Sequence, residues 1–223
     1  MWTPVSISLV CPLAIYTMST DTIEIDVGRY FLDVEKGIDN PKKQVNRVVA
    51  MGQQAVYGDL ARFGDADNGR FGQIHYIPQG SFANDLVAWG LVEFANGKIL
   101  HTRLSRTITN GFEAATRVCG TKGHSVINGN STLNRVEIRD SYGVRTASTP
   151  DAFALYDKTF VGDIAEFAAA VLDDKPLSCS PDDAFEAGKI ACALQHSFRT
   201  GAPVYFDDSG APIMKKASAI NGH

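Results

Sequence analysis

The residues that could do chemistry in this 223-residue chain are few and scattered. The five histidines, His75, His101, His124, His196 and His223, form no H-E-x-x-H or similar ligand array, so no metal site is expected. The four cysteines, Cys11, Cys119, Cys179 and Cys192, include no C-x-x-C pair and no histidine at zinc-finger spacing. They read as buried thiols of a reducing compartment, and cytoplasmic residence is the matching expectation for an acidic chain with unpaired cysteines. The sequence contains no G-x-x-x-x-G-K-[ST] phosphate loop and no G-x-S-x-G nucleophile elbow. It also has no G-x-G-x-x-G between a strand and a helix, where glycine lets the backbone approach a pyrophosphate held at the helix N-terminus. The expectation is therefore that the Rossmann domain is absent and that this chain alone binds no cofactor.

Composition narrows the partners. With 44% hydrophobic and 21% charged residues the chain can build one ordinary globular core. A net charge of -4 argues against a nucleic-acid surface, which shows as a basic excess, and leaves small molecules or proteins as partners. The apolar run Pro4 to Met18 has no basic flank and no small-x-small cleavage site, and it is too short to span a bilayer. Residues 1–21 read as a leader of uncertain structure, with a signal peptide, a buried strand and a disordered segment as the alternatives; no membrane association is expected.

The elements that must position any site follow from local pattern. Ser19 to Asp21 offer N-cap chemistry before Ile23, Ile25, Val27, Tyr30, Phe31 and Val34, predicting a short helix from Thr22 that stops at Gly37. The valine-rich stretch Gln44 to Val56 predicts a strand. Val87–Ala95 and Lys98–Leu104 flank Asn96-Gly97, a strong hairpin signal. Further strands are predicted at Ala114–Cys119, Ser125–Asn128 and Arg135–Arg139, so the middle of the chain reads as an antiparallel meander. After Pro150, Phe153, Tyr156, Phe160, Ile164, Phe167, Ala168, Val171 and Leu172 recur at three- and four-residue steps, as in an amphipathic helix. A second helix is capped by Ser180-Pro181-Asp182-Asp183 and ended by Gly201, and Pro203–Phe206 reads as a last short strand. Strands followed by helices predict an α+β fold: an open, mainly antiparallel sheet with helices packed on one face. The main domain is drawn at 22–208, with 209–223 as a tail. Residues 68–86 have no clean period and read as an inserted loop, either a lid or an insertion with no catalytic part.

Several segments together resemble the C-terminal half of the Gfo/Idh/MocA family, the glucose-fructose oxidoreductase and inositol dehydrogenase type. They are Thr22–Tyr30 in the first helix, Gly90–Gly97 in the hairpin, Gly120-Thr121-Lys122-Gly123 after a strand, and Asp183–Ala191 followed by Ser197–Val204 at the end. The resemblance implies an oxidoreductase whose Rossmann domain binds NAD or NADP while an α+β domain like this one binds a sugar or inositol-like polyol. It further implies a homo-oligomer, or pairing with a full-length relative, through the open sheet face. In that family a lysine of the Rossmann half and a histidine in an Ile-His-x-Ile-Asp stretch, with an aspartate four residues before the histidine, handle the hydroxyl proton while hydride leaves to the nicotinamide.

Carried onto this sequence, the pattern is incomplete. Asp26 matches the closing aspartate, but the histidine position holds Ile23 and the earlier aspartate position holds Ser19. Isoleucine cannot transfer a proton. Asp21 could replace the lost carboxylate in a register shifted by two residues, or could simply be a solvated acid at a helix N-terminus. The segment Thr109–Glu113 matches a strand facing the sugar, which makes Asn110 and Phe112 candidate substrate contacts, with Phe112 equally a core residue; Arg106 could pair with a substrate oxygen or be a solvated strand arginine. The chain is thus expected to be a substrate and oligomerisation domain that is not catalytically competent alone, with a non-enzymatic oligomerisation module or a truncated gene product as alternatives.

Overall fold

The computed structural model describes residues 4–11, 19–35, 37–53, 87–105, 114–127, 132–148 and 152–214. The strands are β1 (Pro4–Cys11), β2 (Val45–Gln53), β3 (Val87–Phe94), β4 (Ile99–Ser105), β5 (Ala115–Gly120), β6 (Gly123–Ile127), β7 (Thr132–Asp140), β8 (Gly143–Ser148) and β9 (Val204–Tyr205). The helices are α1 (Ser19–Leu32), α2 (Ala152–Asp173) and α3 (Pro181–Thr200). Seven strands form an open sheet in the order β6-β5-β1-β4-β3-β2-β9, and β7 and β8 form a separate hairpin.

The α+β expectation holds, and the sheet is mainly antiparallel, with β1 and β4 the one parallel pair among the described strands. The middle of the chain is nevertheless not a simple meander. β1 lies between β4 and β5, parallel to the first and antiparallel to the second, so the two strands expected to be neighbours never pair. Of the alternatives for the N-terminal run, Pro4–Cys11 takes that of a strand. The inserted loop predicted at 68–86 lies outside the described residues. The first residues of the expected tail stay with the fold, since Phe206 bridges Pro212 and the Ile213 amide donates to the Tyr205 carbonyl at 2.8 Å.

One face of the sheet carries α1 and α3, and two glycines set how closely they approach. A Cβ on Gly28 of α1 would lie 2.7 Å from Leu100 Cδ1 of β4. A Cβ on Gly90 of β3 would lie 2.6 Å from Thr102 Oγ1 and 3.2 Å from Leu194 Cδ2 of α3. Between these layers Ile25, Leu32, Val48, Val92, Phe94, Leu100, Val118, Ile190 and Leu194 form a single buried cluster. The Asn96-Gly97 turn closes the β3–β4 hairpin with Gly97 at φ 79°, a conformation only glycine adopts without strain. From the same turn Lys98 donates to the Leu32 carbonyl, satisfying an acceptor at the C-terminus of α1. That helix ends at Leu32, with Asp33 at φ 48°, ahead of the stop expected at Gly37.

The two C-terminal helices differ sharply in burial. On α3, Ala187, Ile190, Ala191, Ala193, Leu194 and Ser197 are buried, and the Ser197 hydroxyl accepts from the Ala50 amide of β2 at 3.0 Å. The apolar side of α2, expected to pack on the sheet, is instead exposed: Ile164 is 70%, Phe167 63% and Val171 66% accessible. The periodicity of α2 is that of a packing face, but no described element covers it.

Candidate functional site

The described residues enclose an open cavity of about 640 Å³. Its wall combines Asp26, Arg29, Tyr30 and Phe31 of α1, the turn residues Asp33, Val34 and Glu35, and Ser178, Cys179 and Asp183 at the entry to α3. The sequence builds it by two local devices. Asp26, Arg29, Tyr30 and Asp33 fall three to four residues apart and share one side of α1 or its end. The α3 entry is rigidified by a capping box, in which the Ser180 hydroxyl accepts from the Asp183 amide at 3.2 Å and the Asp183 carboxylate accepts from the Ser180 amide at 3.0 Å.

Arg29 joins the two halves of the wall. Its guanidinium is only about 4% exposed, and all five N–H donors are used. Nε and Nη2 donate to Gln44 Oε1 at 3.3 and 3.0 Å. Nη1 donates to Asp26 Oδ1 at 3.1 Å and to the Asp183 carbonyl at 3.0 Å, and Nη2 reaches Asp183 Oδ1 at 3.4 Å. A buried arginine held by two carboxylates, a carbonyl and an amide is fully compensated.

The same cluster sets local protonation. The Ser180 hydroxyl and amide, followed by the Arg29 charge, hold the Asp183 carboxyl below the ordinary aspartate range. The Cys179 thiol donates to Asp26 Oδ2 at 3.5 Å. Partial desolvation, and then the negative charge of Asp26, push that thiol above its ordinary range, which favours the protonated form near neutrality.

Of the residues singled out in the sequence, the structure brings only Asp26 to this cavity, with one oxygen on Arg29 and the other on Cys179. Asp21 lies in the first turn of α1. Ile23, at the position where the resemblance places a histidine, is 64% exposed on the same helix. Asn110, Phe112 and Arg106 lie outside the described residues. The expectation of buried cysteines is corrected: Cys179 is exposed, Cys119 and Cys192 are half-buried, and all three are free thiols. Cys119 stands on the short strand β5, Cys179 in the connection before α3 and Cys192 on α3 beside, rather than within, its buried face. Among the described residues no group of histidine, cysteine and carboxylate side chains could hold a metal ion. No helix among them is long and apolar enough to cross a membrane.

Sequence reasoning missed Arg29, Gln44 and Cys179 as parts of this site. Arg29 three residues after Asp26 was a weak signal for a helical ion pair, whereas nothing local pointed to Gln44 or Asp183 as its partners.

The cavity chemistry is that of a polar cleft with aromatic and carboxylate walls, with no histidine or lysine among its described lining residues. Comparison with solved structures gives the fold a context. Scyllo-inositol dehydrogenase from Lactobacillus casei, with bound NAD(H) and scyllo-inositol, superposes with a TM-score of 0.70 at 17% identity, covering 91% of this chain and 56% of that one. The chain shares the fold of the Gfo/Idh/MocA oxidoreductases. Myo-inositol 2-dehydrogenase from Lactobacillus plantarum gives a TM-score of 0.69 at 18% identity over 92% of this chain and 57% of its own. By sequence, the uncharacterized oxidoreductase YrbE of Bacillus subtilis is 27% identical over 183 residues, 81% of this chain and 45% of that protein. No family model matches the chain. The Gfo/Idh/MocA-like chain thus spans about half the length of the relatives it matches.

Proposed function

We propose that this chain is the substrate and oligomerisation half of an NAD(P)-dependent oxidoreductase acting on a sugar or inositol-like polyol, and that the dinucleotide is held by a different domain. The observation that carries the reading is the fold match: nearly all of this chain corresponds to little more than half of dehydrogenases, one of which is solved with NAD(H) and scyllo-inositol bound. The cavity beside Asp26 and Arg29 supports the polyol part, because carboxylate and hydroxyl groups next to the Tyr30 and Phe31 rings suit a ligand rich in hydroxyls. On this reading Asp26 and Arg29 orient substrate or the helix that meets it. No group available at the Ile23 position moves the hydroxyl proton, so the chain alone does not turn over.

Titration of the purified chain by isothermal calorimetry with scyllo-inositol, myo-inositol, NADH and NADPH tests the reading. Binding of an inositol that weakens in Asp26→Asn, with no binding of either nucleotide, is expected. Nucleotide binding by the chain alone would overturn the division of labour, and absence of any polyol binding would overturn the substrate assignment.

A second reading, a module that only assembles, is favoured by one observation: the sheet face opposite the helices exposes the large apolar side chains Met51, Trp89, Leu91 and Ile99.

A further inference from the structure

The open sheet face is divided by charge. On β2 and β3 the cation Arg47 is neutralised by Glu93. The four strands beyond, β4, β1, β5 and β6, contain no aspartate or glutamate, although the whole chain carries a net charge of -4. They hold His101 and Arg103 on β4, Arg117 on β5 and His124 on β6. Strand alternation sets their direction. Leu100 and Thr102 of β4 and Val118 of β5 are buried, so His101, Arg103 and Arg117 stand on the face turned away from the helices. His124 joins them, because its register partner is Cys119, two residues from Arg117.

The arrangement is compact. His101 and Arg117 share Ser8 of β1 as register partner, which places them two strand spacings apart, about 9–10 Å. Arg103 follows His101 by two residues on the same face. After burial, the Arg103 charge is the second cause of the lowered His101 pKa. Among the described residues no carboxylate pairs with Arg103 or Arg117. Like charges gathered without a counter-ion oppose folding, and a bound anion removes that penalty.

We propose that the strip formed by β4, β1 and β5 is a binding site for the dianionic phosphate group of a small molecule, gripped from its two sides by Arg103 and Arg117. Two guanidinium forks match a compact tetrahedral group that carries two charges and accepts hydrogen bonds in pairs, whereas a carboxylate offers one charge. Long arginine stems let the two forks converge over the strand between them. The cavity beside Asp26 does not suit this ligand, since its wall carries Asp26, Asp33, Glu35 and Asp183 and the donors of its Arg29 are already engaged. The strip is separate from that cavity, and phosphate binding there does not depend on the polyol reading.

The intact chain is titrated by calorimetry at constant ionic strength with inorganic phosphate, glycerol 3-phosphate and, as a monovalent control, acetate. Arg103→Gln and Arg117→Gln are compared with Arg139→Gln, which removes the same charge from the separate β7–β8 hairpin; circular dichroism checks each fold. The expected result is saturable phosphate binding that weakens roughly tenfold in Arg103→Gln and in Arg117→Gln, stays unchanged in Arg139→Gln and is not matched by acetate. Tighter binding of glycerol 3-phosphate than of inorganic phosphate marks an ester as the ligand, and equal binding marks the free ion. Imidazole resonances give a second reading on the wild-type chain. His101 faces Leu91 of β3, Ser8 of β1 and the charges of Arg103 and Arg117, so a bound phosphate should raise its pKa by offsetting those charges. Absence of phosphate binding, equal binding of acetate, equal weakening in all three variants, or an unmoved His101 titration would each overturn the assignment. Titrations with NADH and NADPH are repeated in Arg117→Gln: a nucleotide that still binds is held away from the strip and bears on the proposed function alone.

Discussion

Arg29 shows how one side chain can organise a site without reacting in it. Its five donors tie α1 to the start of β2 and to the α3 entry, and its carboxylate partners keep some contact with water. Replacing it by methionine keeps the stem but leaves Gln44 and the Asp183 carbonyl unpaired. The expected cost is about 3 kcal/mol, the low end for breaking a buried pair because the two carboxylates can resolvate; urea denaturation at neutral pH measures it. Ser180→Ala removes the cap that accepts from the Asp183 amide and should lower stability by about 1 kcal/mol in the same assay. Asp183 adds a pH signature. Its folded-state pKa lies below the unfolded value near 4, so its contribution is complete above that value and is lost as pH falls through the depressed folded pKa. The urea midpoint of the wild-type chain should therefore drop between about pH 5 and pH 2, and Asp183→Asn should flatten that drop. The cap was legible in Ser180-Pro181-Asp182-Asp183 because its chemistry is local. The Arg29 cluster was not, since its partners stand 15 and 154 residues away in the chain.

At the scale of elements, legibility followed the range of the interactions. The β3–β4 hairpin and the α3 helix carry their own turn and cap residues, and both stand where the pattern put them. β1 carried no such signal. A parallel pairing with β4 leaves no tight turn in the sequence, so the strand's place between β4 and β5 could be read only from the folded chain. For α2 the helix was legible and its packing was not, because periodicity marks an apolar face without saying which surface meets it. Gly90 offers a test of the layer spacing. Strand propensity favours valine over glycine in the middle of β3, but a Cβ there would press on Thr102 Oγ1 at 2.6 Å and on Leu194. Overpacking of this kind costs about 1–3 kcal/mol. Gly90→Val should therefore lower the melting temperature, and a rise would show that α3 stands farther from the sheet than described.

For the whole molecule, the open sheet face is the surface through which we propose that copies meet. Along β2, β3 and β4 the register sets Glu93 between Arg47 and Ile99, Leu91 between Val49 and His101, and Trp89 between Met51 and Arg103. The result is an apolar centre with charged groups on both sides, and the Arg47 Nε donates to Glu93 Oε2 at 2.5 Å within the chain's own surface. Burial and then the Arg103 charge lower the pKa of His101, so it is neutral at physiological pH and adds no repulsion to this face. Such a surface suits an isologous contact, in which each residue is used twice and a single change is felt twice. Trp89 and Leu91 stand side by side on its middle strand, and an exposed tryptophan is the kind of anchor that carries a large share of binding energy. Sedimentation velocity over a hundredfold range of protein concentration should show reversible self-association of the wild-type chain. Leu91→Asp places a charge opposite its own symmetry mate and should weaken that association at least tenfold, leaving the urea midpoint nearly unchanged because Leu91 is already 49% exposed in the single chain. The α2 variant Ile164→Asp should sediment like the wild type. A strict monomer at the highest concentration would remove the sheet face as the assembly surface.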